Sequence, residues 1–190
     1  MDNLNKKTIC LCFIIHVCAA NAAPEVNEEY AYYLIYPDSP SAIASELARH
    51  SPIRENGKIF RGHTQWHVVW NYRWESRDNF CKLNHVDTRV NIIYTMPKLA
   101  ESHRQKAIET RFNAYYTALM NHEHGHKESG IEAAIEIEET LLSIPEKTNC
   151  QELEAVANNK AKNIIRKYNK KDIVYDYKTD HGRTQGAYID

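Results

Sequence analysis

At Ser102 the spacing of apolar residues changes from two to about 3.6, and no proline interrupts the new pattern until Pro145. Ile108, Phe112, Tyr115 and Leu119, followed by Ile131, Ala134, Ile137 and Leu141, mark one helical face over residues 102–143. The spacing admits one very long helix or two joined near Asn113 or Asn121. Upstream the chain alternates as strands do. In residues 63–74 (HTQWHVVWNYRW), Trp66, Val68, Trp70, Tyr72 and Trp74 fall on one face and mostly polar residues on the other. In residues 86–96, Val86, Thr88, Val90, Ile92, Tyr94 and Met96 repeat the pattern, with Pro97 predicted to end the strand. A neighbouring pairing across residues 75–82 is the simplest connection.

Residues 30–36 (YAYYLIY) read as an earlier strand. Ser39, followed by Pro40, reads as the N-cap of a short helix that stops before Pro52. After Pro145 a last helix is predicted from Cys150 to about Tyr168, with Leu153, Val156, Ile164 and Ile165 inward. Arg166, Lys167, Lys170 and Lys171 form its solvated end, and residues 172–190 read as strand and loop. Strands segregated from helices predict an α+β domain, a small antiparallel sheet packed on long helices.

Residues 1–22 have the three-part build of a secretory signal and are set apart from the domain that follows, residues 23–190. Lys6 and Lys7 precede an apolar run, TICLCFIIHV, too short to span a bilayer as a permanent helix, and Ala20-Asn21-Ala22 offers small residues to a signal peptidase. An exported chain is expected, periplasmic or secreted, with no membrane span after signal removal. Cys10, Cys12 and Cys18 leave with the signal. Cys81 and Cys150 remain, and such a pair in an oxidising compartment predicts a disulfide closing a loop of about 70 residues, worth about 4 kcal/mol. The 43% of hydrophobic residues excludes a disordered chain, and 24 basic against 25 acidic residues leave no cationic surplus for a nucleic acid.

Inside the helical stretch stands His122-Glu123-His124-Gly125-His126. His122 and His126 are one turn apart on one face, so both imidazoles can reach a single zinc ion at about 2.0–2.1 Å. Glu123 stands beside that face as a general base for a zinc-bound water, without ligating the metal. His124 falls about 200° round the helix, outside the site. Gly125 reads equally as a tolerated glycine or as a point of close approach. A catalytic zinc needs a third protein ligand and an open position. Ser129 and Glu132 stand where an extended metzincin motif carries Gly and His, so that class is not expected. Glu132, Glu136, Glu138 and Glu139 read mostly as a charged outer face. The tail Tyr175-Asp176-Tyr177-Lys178-Thr179-Asp180-His181-Gly182 offers Asp176, Asp180 and His181.

These residues, together with Thr64-x-Trp66 and Trp70, Cys81, Tyr94-x-x-Pro97, Cys150 and Gln185-Gly186-Ala187, resemble the predicted secreted zinc-dependent proteases of bacteria catalogued as domain of unknown function 922. The resemblance covers essentially all of residues 23–190. It implies a zincin-like metallopeptidase with His122 and His126 as ligands, Glu123 as base, and the tail histidine in the site. His181 is then the expected third ligand of one zinc ion, with Asp176 or Asp180 hydrogen-bonding an imidazole. The competing assignment makes one of those aspartates the ligand and turns His181 to the substrate. The expected function is hydrolysis of a peptide or protein substrate. The alternatives are a non-catalytic zinc-binding envelope protein and a zinc amidase acting on a cell-wall peptide. The tryptophans of residues 63–74 read as a core face, His63, His67, His85 and His103 as surface or sheet residues, and Tyr175, Tyr177 and Arg183 as groups able to donate to an oxyanion.

Overall fold

In the computed structural model the described residues are 23–55 and 57–190; residues 1–22, for which a signal is expected from sequence, lie outside them together with Cys10, Cys12 and Cys18. In chain order they form β1 (Glu25–Ile35), α1 (Ile43–His50), a hairpin of β2 (Arg54–Glu55) and β3 (Lys58–Ile59), β4 (His63–Arg77), β5 (Phe80–Leu99), α2 (Lys106–Leu142) and α3 (Cys150–Thr179). No described helix is long and apolar enough to cross a membrane.

The alternating pattern becomes the centre of the sheet. β4 and β5 pair antiparallel from His63↔Thr95 to Arg77↔Phe80. The turn between them is Asp78-Asn79, where Asn79 takes a positive φ of 55° that asparagine tolerates better than most side chains. Buried positions on β5 switch from odd (Cys81, Leu83) to even (Val86, Thr88, Val90), because a register shift at Arg73/Trp74 leaves Asn84 without an opposite residue.

Two expectations for the sheet are corrected. It is mixed, not antiparallel: β1 runs parallel to β5 along its whole length, Glu25↔Arg89 to Ile35↔Leu99. Parallel pairing needs a long crossover, and α1, the β2–β3 hairpin and β4 supply it. Nor does Pro97 end β5, which continues to Leu99. β4 pairs only as far as Thr95, so at Pro97 one side of β5 is open, and such an edge position tolerates a residue without an N–H.

Within residues 102–143 there is one long helix, α2, which starts only at Lys106 and whose 37 residues lie over β4 and β5. Its buried stripe runs through Ile108, Phe112, Tyr115 and Leu119, continues through His122 and His126, and ends at Ala133, Ile137 and Leu141. Glu138 is a correction to the outer-face reading: it is buried, and its carboxylate accepts from the Thr88 backbone N–H at 2.9 Å and from Thr88 Oγ1 at 2.7 Å, which satisfies it against the sheet. Glu132 and Glu136 do face outward, paired with Lys171 and Lys167. Those partner numbers rise on one helix as they fall on the other, so α2 and α3 are antiparallel.

α3 extends eleven residues past the expected end at Tyr168, through Thr179, and residues 172–179 are therefore helical. Ile173, Val174 and Tyr175 favour a strand locally, but no breaker interrupts them and packing on α2 decides the outcome. The N-terminus of α3 is capped by Asn149, whose side chain accepts from the Glu152 N–H at 2.8 Å. It is also tied to β5. Cys81 and Cys150 form a disulfide, and Cys81 exchanges two backbone hydrogen bonds of 2.8 Å with Lys147. Replacing both cysteines by serine should lower unfolding free energy by about 4 kcal/mol in a denaturant titration, since the bridge spans 69 residues. A loss under about 1 kcal/mol would mean that the backbone bridge alone holds this corner.

Candidate metal centre

The polar residues in the α2 stripe need partners because they are buried: His122, Glu123 and His126 are each under 10% exposed. α3 provides them. Its own buried stripe, Leu153, Ala157, Ala161, Ile164 and Tyr168, continues at helical spacing through Asp172, Asp176 and Thr179, so both aspartates arrive opposite the two histidines.

Asp176 Oδ1 lies 3.0 Å from His126 Nε2 and 3.2 Å from His122 Nε2. Among the described residues, His122, His126 and Asp176 form a group whose ligand atoms all lie within 4.8 Å of one another. Two ligands of a tetrahedral zinc, each about 2.0–2.1 Å from it, stand about 3.3 Å apart, so donor types and spacing both fit such an ion. The other imidazole nitrogens are engaged. His122 Nδ1 is 2.9 Å from Gln185 Oε1, which sets Nδ1 as the donor and leaves Nε2 for the centre. His126 Nδ1 is 3.3 Å from Asp172 Oδ1, within ion-pair distance but not aligned as a hydrogen bond, and Asp172 Oδ2 accepts from Trp66 Nε1 at 2.7 Å.

Burial alone would lower the His126 pKa, but the carboxylates of Asp172 and Asp176 outweigh it and raise the group to about 10. Burial would likewise raise Asp176, yet the His122 and His126 imidazoles hold its carboxyl well below the usual carboxylate range. Both carboxylates thus favour the protonated form of the His126 imidazole.

Glu123 lines the same cleft. Its Oε2 accepts from Thr64 Oγ1 at 2.7 Å, and among the described residues no hydrogen bond engages Oε1. The cleft, about 840 Å³, is walled by the β2–β3 hairpin, the start of β4, α2 and α3.

His181 also lines the cleft, outside the three-residue cluster: its Nδ1 is 3.6 Å from Asp176 Oδ2, and its ring meets Phe60 at 4.8 Å between centroids. Asp180 is exposed, 3.8 Å from Arg183. Asp180, His181 and Gly182 all have positive φ, and this turn swings the tail back over α2. A Cβ on Gly182 would sit 2.9 Å from the His122 ring, so only glycine fits there. Tyr175 is stacked on His122 at 5.0 Å, and its hydroxyl donates to the His122 carbonyl at 3.2 Å and accepts from Gln185 Nε2 at 3.0 Å, so it is spent on the wall of the centre. Tyr177 points to solvent, and Arg183 lies over Tyr188. His124 meets Tyr94 edge-on, away from the cluster.

Gly125 is a point of close approach, since a Cβ there would overlap the Tyr175 hydroxyl and ring. Gly125→Ala should therefore destabilise the protein by about 1–2 kcal/mol, the displaced tyrosine outweighing about 1 kcal/mol of gained helix propensity. A raised denaturation midpoint in this variant would mean that Tyr175 moves aside freely.

Asp172 and Gln185 were not singled out from sequence as partners of the imidazoles. The signal for Asp172 is its i, i+4 spacing to Asp176 in phase with Ile164 and Tyr168, readable only once residues 172–179 are taken as helix. Trp66 combines its core role with the hydrogen bond that steadies Asp172.

The sequence profile described as bacterial protein of unknown function (DUF922) matches residues 30–182. No curated protein and no solved structure matches the chain. The matched stretch runs from β1 to the turn at Gly182 and contains His122, Glu123, His126, Asp172, Asp176, His181 and both disulfide cysteines. The chain belongs to the DUF922 family of bacterial proteins of unknown function.

Proposed function

We propose that this protein is an exported zinc-dependent hydrolase of peptide bonds. The observation that carries the reading is the convergence of His122 Nε2, His126 Nε2 and Asp176 Oδ1 beside the buried carboxylate of Glu123 in one open cleft. In this reading the third ligand is Asp176, with His181 facing the substrate. Three donors, and not four among the described residues, favour a catalytic over a structural metal, because catalysis needs an open position. The Cys81–Cys150 disulfide supports an oxidising compartment.

Zinc held by these residues would supply Lewis acidity, making a water acidic enough to lose a proton near neutral pH and polarising a carbonyl. Gln185 and Asp172 fix the imidazoles so that Nε2 of each faces the centre. Thr64 holds Glu123 by one oxygen, which fixes the carboxylate for proton transfer with the other. Glu123 takes a proton from the attacking water as the oxygen–carbon bond forms, then delivers it to the leaving nitrogen as the carbon–nitrogen bond breaks.

The test uses the full exported protein. It should carry about one zinc per chain, cleave an unfolded protein substrate, lose that activity on chelation and regain it with zinc. Hydrolysis that survives complete zinc removal would contradict the proposal.

A further inference from the structure

Resting on the hydrolytic reading above, the lining of the cleft also points to what it accepts. Its floor is polar, and two exposed apolar side chains stand at its rim: Ile59 on β3 and Ile173 on α3 both line it, at 44% and 69% exposure. Ile53 and the partly buried ring of Phe60 continue the lining on the hairpin side. Ile173 immediately follows Asp172, in the helical turn that carries both aspartates. An isoleucine there gains little from burial and has weaker helix propensity than Leu, Lys or Glu. One exposed apolar residue means little. Two on separate walls of one cleft, around a few convergent polar groups, is the make-up of a ligand site. The exposed charges beside these isoleucines, Arg54 and Glu55, have opposite signs and so favour no one charge there.

We infer that the cleft selects a polypeptide with a bulky apolar side chain, of leucine or phenylalanine type, beside the scissile bond, seated against Ile59 and Ile173. Blocked peptides of one sequence that differ at a single position (Leu, Phe, Asn, Asp or Lys) should show at least about a tenfold preference for Leu and Phe in kcat/KM. The same order should appear in Kd for the zinc-loaded Glu123→Gln protein, which reports binding without turnover. In Ile59→Ser and Ile173→Asn the preference should shrink to about twofold or less with zinc content unchanged, and Ile173→Leu should restore it. A preference for Asp or Lys, no preference, or one unchanged in both variants overturns the inference while leaving the hydrolytic reading intact. Failure of zinc-loaded Glu123→Gln to bind any of these peptides also overturns it. Failure of the hydrolytic reading shows separately, as wild-type protein that cuts none of the set and no unfolded protein.

Discussion

Glu123→Gln should keep its zinc and lose at least about 100-fold in kcat, with KM little changed. Glutamine has nearly the same shape and can still accept from Thr64 Oγ1 through its amide oxygen, so the buried site keeps its packing and the bond at 2.7 Å. What it loses is the ability to take a proton. Metal analysis and steady-state kinetics on the same preparation check both halves. A variant that cleaves at the wild-type rate would make Glu123 a bystander, whereas one that loses zinc would make it a ligand.

The second large effect separates ligands from their supports. His122→Ala, His126→Ala and Asp176→Ala should each abolish stoichiometric zinc binding, because each removes one of three protein donors. Asp172→Asn and Gln185→Ala should weaken zinc by about 10- to 100-fold, since they only orient the imidazoles. His181→Ala should retain stoichiometric zinc. Competition titrations against a chelator of known affinity would order the series. The pH dependence follows from His126. Its metal-free pKa is raised to about 10, so the protonated imidazole stabilises the apo fold fully below the unfolded value near 6.5, and that contribution is lost as pH climbs toward about 10. Zinc must displace this proton, so its affinity should rise with pH across the same window and binding should release a proton. Affinity independent of pH there would contradict an imidazolium in the apo centre.

Much of this was legible in the sequence, for identifiable reasons. The alternation of residues 63–73 and 86–96 needs only the pleat of a strand to be read, whereas Trp74, expected on the core face, lies past the register shift at Arg73/Trp74 and is exposed; the two cysteines had one partner each among the described residues. His122 and His126 are close in sequence, so helical geometry alone sets them on one face. The rest depends on pairing between distant segments. Asp176 and Asp172 meet the histidines because α3 stays helical to Thr179, which the β-branched and aromatic run from Ile173 to Tyr175 conceals locally. The parallel placement of β1 is a long-range choice with no local signature. Pro97 misleads because a strand end and an open sheet edge tolerate proline for the same reason. Glu138 misleads because nothing in the helical pattern reveals a threonine pair of donors on β5.

The coordination sphere of the zinc-loaded protein, read from anomalous diffraction at the zinc edge, decides whether these residues form a catalytic zinc site. One zinc should be bound by His122 Nε2, His126 Nε2 and a carboxylate oxygen of Asp176, with the remaining position open to the cleft. A sphere closed by a fourth protein side chain, or zinc bound away from His122 and His126, would contradict this assignment.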